Sequence, residues 1–236
     1  TGEHATLLFV DNGSTDDTRE KLGDLARSLE AEVLRNSENR GVAAAWNQGV
    51  RWAKENGADW IGILNNDLVL SPDWLPDLLE RARTRAWNLA CPATREGELN
   101  YGFEPYTKAY VRRCKAWDAP GLWFGWCFVV EARVFDVVGT FDEGFQYGGC
   151  EDTDFMKRFA AAGFSSGVSG CSFVHHFGSR TQRALKLKIG DAFGHANIAR
   201  LKDRYGAASA RSPLAKLASA TCHLAELVRW GHHLKE

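Results

Sequence analysis

The chain has 236 residues, 44% hydrophobic and 25% charged, an ordinary balance for a globular protein with room for one sizeable core. A formal net charge of -1 argues against broad electrostatic capture of nucleic acid or anionic membrane. No apolar run approaches the roughly 20 residues that a bilayer crossing needs, and six cysteines without a CxxC pair point to reduced thiols and a cytoplasmic setting.

In chain order, Thr6 to Val10 reads as a buried strand closed by Asp11-Asn12-Gly13-Ser14. Ser14 or Thr15 caps a predicted helix through about Leu29, with Asp16 and Asp17 where the helix dipole favours them. Glu32 to Leu34 is a short strand, Asn36 to Arg40 a polar loop, and Gly41 to Glu55 a helix stopped by Asn56-Gly57. Trp60 to Leu64 is a third strand, and Ser71-Pro72-Asp73 opens another helix. This alternation predicts an α/β fold with a mostly parallel sheet flanked by helices, ligands gathering beyond the carboxyl ends of the strands.

Residues 100–120 mix aromatics, charges and turn formers, and read as loops and short strands. Gly121 to Val130 is an aromatic-rich strand, followed by a helix from about Ala132 and a glycine-rich loop from Phe141 to Gly149. Glu151 to Ala162 is a helix, Ser172 to His176 a strand end, and Ala184 to Tyr205 helical. The tail from Pro213 places Leu214, Leu217, Thr221, Leu224 and Val228 at helical spacing. Docking on the domain is its expected role, with a homodimer seam or peripheral membrane contact as alternatives.

Three clusters could carry chemistry. Ile61 to Leu64 ends abruptly in Asn65-Asn66-Asp67, an arrangement suited either to a turn or to a hard divalent cation at a sheet edge. Glu151-Asp152-Thr153-Asp154 opens a helix, so its carboxylates are either dipole partners or include a general base, which the dipole would keep ionised. His175-His176 ends a strand, where adjacent side chains point to opposite faces and at most one reaches a given site. Imidazole beside carboxylate and phosphate oxygens would suit Mn2+ or Mg2+.

Together the motifs resemble family 2 glycosyltransferases of the GT-A fold: Val10 to Asp16, Asn39 to Gly49, Leu64 to Asp67, Gly139 to Phe145, Glu151 to Asp154 and His175 to Ser179, in the family's order. The resemblance implies a Rossmann-like GT-A domain over residues 1–180, with a nucleotide-sugar part to about 95, an acceptor and catalytic part from 96, and a helical extension over 181–236. It implies inverting transfer of a hexosyl or deoxyhexosyl group from a UDP-, dTDP- or GDP-linked donor to a glycan, lipid-linked sugar, protein or small molecule. Asp11, Asn12, Gly13, Asn39, Gly41, Asn47, Asn65 and Asn66 match donor-side positions, and Asp67 the metal-binding carboxylate. His175 matches a histidine near the metal, with His176 the second choice, and Asp152 the catalytic base. Trp123, Trp126 and Glu151 are the expected acceptor contacts, although packing between sheet and helix would equally explain one of the tryptophans.

Two departures from the family pattern stand out. Asn65 replaces the first Asp of the DxD motif, and the strand and helix that normally precede the position of Thr6 are missing, which reads as N-terminal truncation. A chain truly beginning at Thr1 would have an exposed sheet edge and a half-built donor site. The competing readings are a catalytically idle carbohydrate- or nucleotide-binding module and a glycoside hydrolase using two carboxylates.

Overall fold

The computed structural model describes residues 5–178, 187, 190 and 192–206. Its strands are β1 (Leu8–Asn12), β2 (Glu32–Asn36), β3 (Trp60–Leu64), β4 (Leu68–Leu70), β5 (Leu89–Glu96), β6 (Asp118–Pro120), β7 (Cys127–Glu131) and β8 (Ser166–His176). The helices are α1 (Thr18–Leu29), α2 (Val42–Glu55), α3 (Trp74–Arg85), α4 (Phe103–Cys114), α5 (Val134–Val138), α6 (Glu151–Ala161) and α7 (Ala192–Tyr205).

The α/β class holds, with a central sheet flanked by helices, but strand direction departs from expectation. Only β1–β2 and β5–β8 pair in parallel, whereas β3–β7, β5–β7, β4–β8 and β6–β8 are antiparallel. The β-α-β alternation that predicts parallel pairing runs only through β3. β1 and β2 form their own two-stranded sheet, and the other six form a second sheet in the order β3-β7-β5-β8-β4, with β6 beside β8. Helix α2 packs against both β1 and β3.

The apolar alternation of β3 turns Ile61 and Ile63 inward, where they join Val50 of α2, Phe128 and Val130 of β7, and Phe155 and Phe159 of α6. Full burial of each such side chain contributes about 1.5–3 kcal/mol. Strand β8 is buried along all 11 residues, flanked by β5 and β4 at its carboxyl end.

Several boundaries moved. Helix α1 starts at Thr18 rather than at Ser14 or Thr15, because Asp16 Oδ1 accepts the Thr18 N–H and holds a turn first. Residues 103–114 form a helix, not loops, since Tyr106, Tyr110 and Phe103 close over Phe173 of β8. Strand β7 covers only Cys127–Glu131, leaving 121–126 as a loop. The tail from Pro213 lies outside the described residues. The five described cysteines are free, and no described helix is long and apolar enough to cross a membrane.

Candidate functional site

Strand register decides which histidine faces the loop of Asp67. On β8, His176 pairs with Glu96 of β5 on one side and with Leu68 of β4 on the other, and Asp67 immediately precedes β4. His176 Nδ1 lies 2.8 Å from Glu96 Oε1, and Nε2 lies 3.3 Å from Asp67 Oδ1. The second contact is at ion-pair distance, and Nε2 makes no aligned hydrogen bond among the described residues. Burial disfavours a charged ring, but the Asp67 and Glu96 carboxylates outweigh it and hold the His176 pKa up at about 9.

His175, the histidine expected near a metal, takes the other face of β8, away from Asp67. It is fully buried, with Nε2 3.0 Å from Gly97 O and Nδ1 2.9 Å from Tyr101 Oη. A carbonyl only accepts, so Nε2 carries the proton and Nδ1 accepts from the tyrosine. Burial, with the positive charge of Arg95 nearby, holds its pKa below the ordinary value.

The loop before β7 joins this histidine to the acidic start of α6. Trp126 stacks on His176 at 5.0 Å and 14°, is backed by Phe124 at 4.6 Å, and donates from Nε1 to Thr94 Oγ1 at 3.2 Å. Its carbonyl accepts the Asn65 N–H at 2.8 Å, because β3 and β7 pair up to Leu64 and Cys127. Next to it, Gly125 lies against Asp152: a Cβ built on this glycine would sit 2.6 Å from Asp152 Oδ2. Trp123 packs edge-on to Phe128 and Phe155 and is only 7% exposed, so it belongs to the core and not to an acceptor wall.

Asp152 Oδ1 accepts from Thr153 N at 2.6 Å and from Thr153 Oγ1 at 3.3 Å. Burial nevertheless raises its pKa, against the expectation that the helix dipole would lower it, because desolvation exceeds what one turn of hydrogen bonds returns. Glu151 is 5% exposed, with Oε2 lacking a hydrogen-bond partner. Burial and then the charge of Asp152 push Glu151 up to about 8. Glu151 thus holds its proton at neutral pH, with the charge of Asp152 as the second reason after burial.

The donor-side candidates gather at the carboxyl ends of β1 and β2, but several are engaged internally. Asp11 is buried and accepts the Ser14 N–H at 2.9 Å. Burial opposes its ionisation, yet the Ser14 bonds and the charges of Arg19 and Arg35 hold the carboxyl below the usual range. Asn12 donates to Asn39 Oδ1 and Gly41 O and accepts from Asn36 Nδ2 and Arg40 N, which commits its amide to the scaffold. Asn39 Oδ1 also accepts the Gly41 N–H, and Gly41 caps α2 at φ 86°. Gly13, at φ 79°, comes so close to Glu38 that a Cβ would lie 2.5 Å from its backbone.

Asn47 is corrected as well. It is 1% exposed and ties α2 to the glycine-rich loop, donating to Phe141 O and Glu143 Oε1 and accepting from Phe141 N, all at 2.9 Å. Asn65 is half-buried and Asn66 exposed, immediately ahead of Asp67.

Sequence reasoning missed Glu96, Gly125 and Asn197. Asn197 of α7 is buried, accepts from Gln146 N, and donates to Gln146 O and Gly148 O, pinning the loop ahead of α6. There Tyr147, Gly148, Gly149 and Cys150 all have positive φ, at 57°, 128°, 104° and 78°. A usable signal existed only for Glu96, a carboxylate closing a strand, and it was hidden because β5 itself was not predicted.

A family model described as Glycosyl transferase family 2 matches residues 1–162. The chain is 24% identical over 217 residues to polypeptide N-acetylgalactosaminyltransferase 18 of Homo sapiens, an alignment covering 80% of this chain and 34% of that protein. It is 26% identical over 186 residues to an uncharacterized protein of Mycobacterium tuberculosis, covering 76% and 66%. It therefore spans about a third of the human relative and just under two thirds of the mycobacterial one. Among solved structures, GalNAc-T7 with UDP, GalNAc and Mn2+ aligns at TM-score 0.58 and 20% identity, covering 73% of this chain and 37% of that one. Staphylococcus aureus TarS 1–349 aligns at TM-score 0.54 and 12% identity, covering 98% and 65%; at these identities the likeness is one of fold.

Proposed function

The chain belongs to glycosyl transferase family 2, and from that premise we propose that it transfers a sugar, with inversion, from a nucleotide-diphosphate donor to an acceptor hydroxyl. The observation that carries the reading is the convergence of His176 Nε2 and Asp67 Oδ1 at 3.3 Å, joined through Trp126 and Gly125 to the Asp152 carboxylate. An imidazole nitrogen beside a carboxylate oxygen suits Mn2+ or Mg2+, which His176 and Asp67 would hold together with the donor. Among the described residues no cluster of three or more His, Cys, Asp or Glu could hold a metal, and the reading asks only for this pair beside the donor's own oxygens. When bound, the cation would neutralise the charge developing on the departing diphosphate.

The chain's own residues do the rest. Asp152 Oδ2 takes the proton of the acceptor hydroxyl, and burial places its basicity nearer neutral pH than an exposed carboxylate would have. Glu151, protonated beside it, spares the pocket a second buried negative charge. The amide network of Asn12, Asn36, Asn39 and Gln48 holds the β1 and β2 ends in place, which leaves half-buried Gly13 as the donor-side position with buried Asp11 behind it. Cocrystallisation of GalNAc-T7 with UDP, GalNAc and Mn2+ supports a UDP-sugar as the first donor to try.

The test is thermal stability with UDP-, dTDP- and GDP-sugars, with and without Mn2+. A rise in Tm for one nucleotide class that needs Mn2+ and is absent in Asp67→Ala is expected. No rise with any donor sinks the donor-site reading.

A further inference from the structure

Glu96 lies closer to His176 than Asp67 does, at 2.8 Å against 3.3 Å, and has no part in the transfer just proposed. We propose that Glu96 is a positioning residue for the cation site, holding the Nδ1 proton and the in-plane orientation of His176 so that Nε2, once a cation displaces its proton, faces the Asp67 side. The inference rests on the cation reading just given and deepens it.

β5 and β8 pair in parallel with Glu96 opposite His176, so the two side chains leave the same face of the sheet as direct neighbours. Glu96 Oε1 and His176 Nδ1 are 2.8 Å apart, within the range of a charge-assisted hydrogen bond. A carboxylate can only accept, so Nδ1 keeps its proton. When a cation takes the ring, only Nε2 can offer a lone pair, and Nε2 is the nitrogen 3.3 Å from Asp67.

The plane of the ring is set separately. Trp126 covers one face at 14° to the imidazole and is held by Thr94 and Phe124. Stacking limits tilt but leaves rotation within the plane, and the Glu96 bond removes that rotation. The adjacent histidine shows the specificity of the device. His175, with a carbonyl and a tyrosine as neighbours, is held in the opposite tautomer with Nε2 protonated and has no lone pair to offer there.

Glu96 is 42% exposed, so replacing it leaves the core intact. The experiment is an Mn2+ titration followed by the electron paramagnetic resonance of the free ion, with UDP saturating, on wild type, Glu96→Gln and Glu96→Ala. Glu96→Ala should bind Mn2+ 10- to 100-fold more weakly, the usual effect of losing a histidine's outer partner, roughly as in other metal sites. Glu96→Gln should recover part of the affinity, because its amide oxygen still accepts the Nδ1–H.

Equal or tighter binding in Glu96→Ala overturns the inference while leaving the cation site standing. Failure of the wild type to bind Mn2+ overturns the cation reading and this inference with it. A second measurement needs no variant: long-range proton–nitrogen spectra of wild type with Mg2+ and UDP should show His176 protonated at Nδ1, and an Nε2-protonated ring would refute the assignment.

Discussion

Replacing Glu151 by Gln should stabilise the protein increasingly as pH rises. Glu151 is buried, one oxygen lacks a partner, and its pKa is pushed from 4.5 to about 8 by desolvation and then by Asp152. A folded-state pKa raised above the unfolded value means that the folded protein holds an extra proton between those limits. The associated stability is fully present below about pH 4.5 and is lost as pH rises through 8. The full span corresponds to at most about 5 kcal/mol; because the pair shares one charge penalty, about 2 kcal/mol is the working figure. The substituted amide has its own cost in a site short of partners, but that cost does not depend on pH. The quantity to compare is therefore the stability difference between Glu151→Gln and wild type at pH 5 and at pH 9. It should grow by about 2 kcal/mol in favour of the variant, or about 1 M in urea midpoint for a slope of about 2 kcal/mol/M. Urea unfolding followed by tryptophan fluorescence measures it. A difference that is flat with pH, or that shrinks, would show that Glu151 is ionised without penalty and that the burial argument is wrong.

Two further outcomes follow from named contacts. Gly125→Ala places a Cβ 2.6 Å from Asp152 Oδ2 and must displace that carboxylate, so UDP release from the best donor should fall by about 100-fold while the Mn2+-dependent Tm shift persists. Unchanged turnover would remove Asp152 from the chemistry. Asn197→Ala deletes three hydrogen bonds to Gln146 and Gly148 and should cost about 3 kcal/mol in urea unfolding; a loss under about 1 kcal/mol would mean that the loop holds its left-handed run without α7.

How much of this was legible depends on whether the signal was local. Strands β1 and β3 and helix α2 follow from periodicity and stop signals within their own segments, and Asp67 and Asp152 stand out because each sits at an element's end. The choice between His175 and His176 is not local. It is set by the pairing of β8 with β4 and β5, and β5 was hidden by Pro92, which reads as a strand breaker. In the fold Pro92 sits where the β5–β8 register shifts, a place that tolerates a missing N–H. Helix α4 was obscured by Pro105, which falls in its first turn, where no intrahelical donor is lost. Asn12 and Asn47 looked like ligand contacts because polar groups at element ends often are. Both instead satisfy backbone carbonyls or amides that would otherwise be unpaired. The raised pKa of Asp152 was out of reach for the same reason: the dipole is local, whereas burial is supplied by residues far along the chain.

The distance in sequence also explains why the loop before β7 matters so much to the site. Asp67, Asp152 and His176 come from three separate stretches, and residues 125 and 126 lie between them in space. Trp126 fixes the ring of His176 and, through its carbonyl, the Asn65 end of β3, while Gly125 leaves the volume that Asp152 Oδ2 occupies. A side chain at 125 or the loss of the indole at 126 would therefore disturb the proposed base and the proposed cation ligand by different routes. Gly125 acts through space it leaves empty and Trp126 through a face it covers, so the two substitutions should separate turnover from cation affinity. That separation distinguishes a transferase site from a binding module, in which both substitutions would affect only affinity.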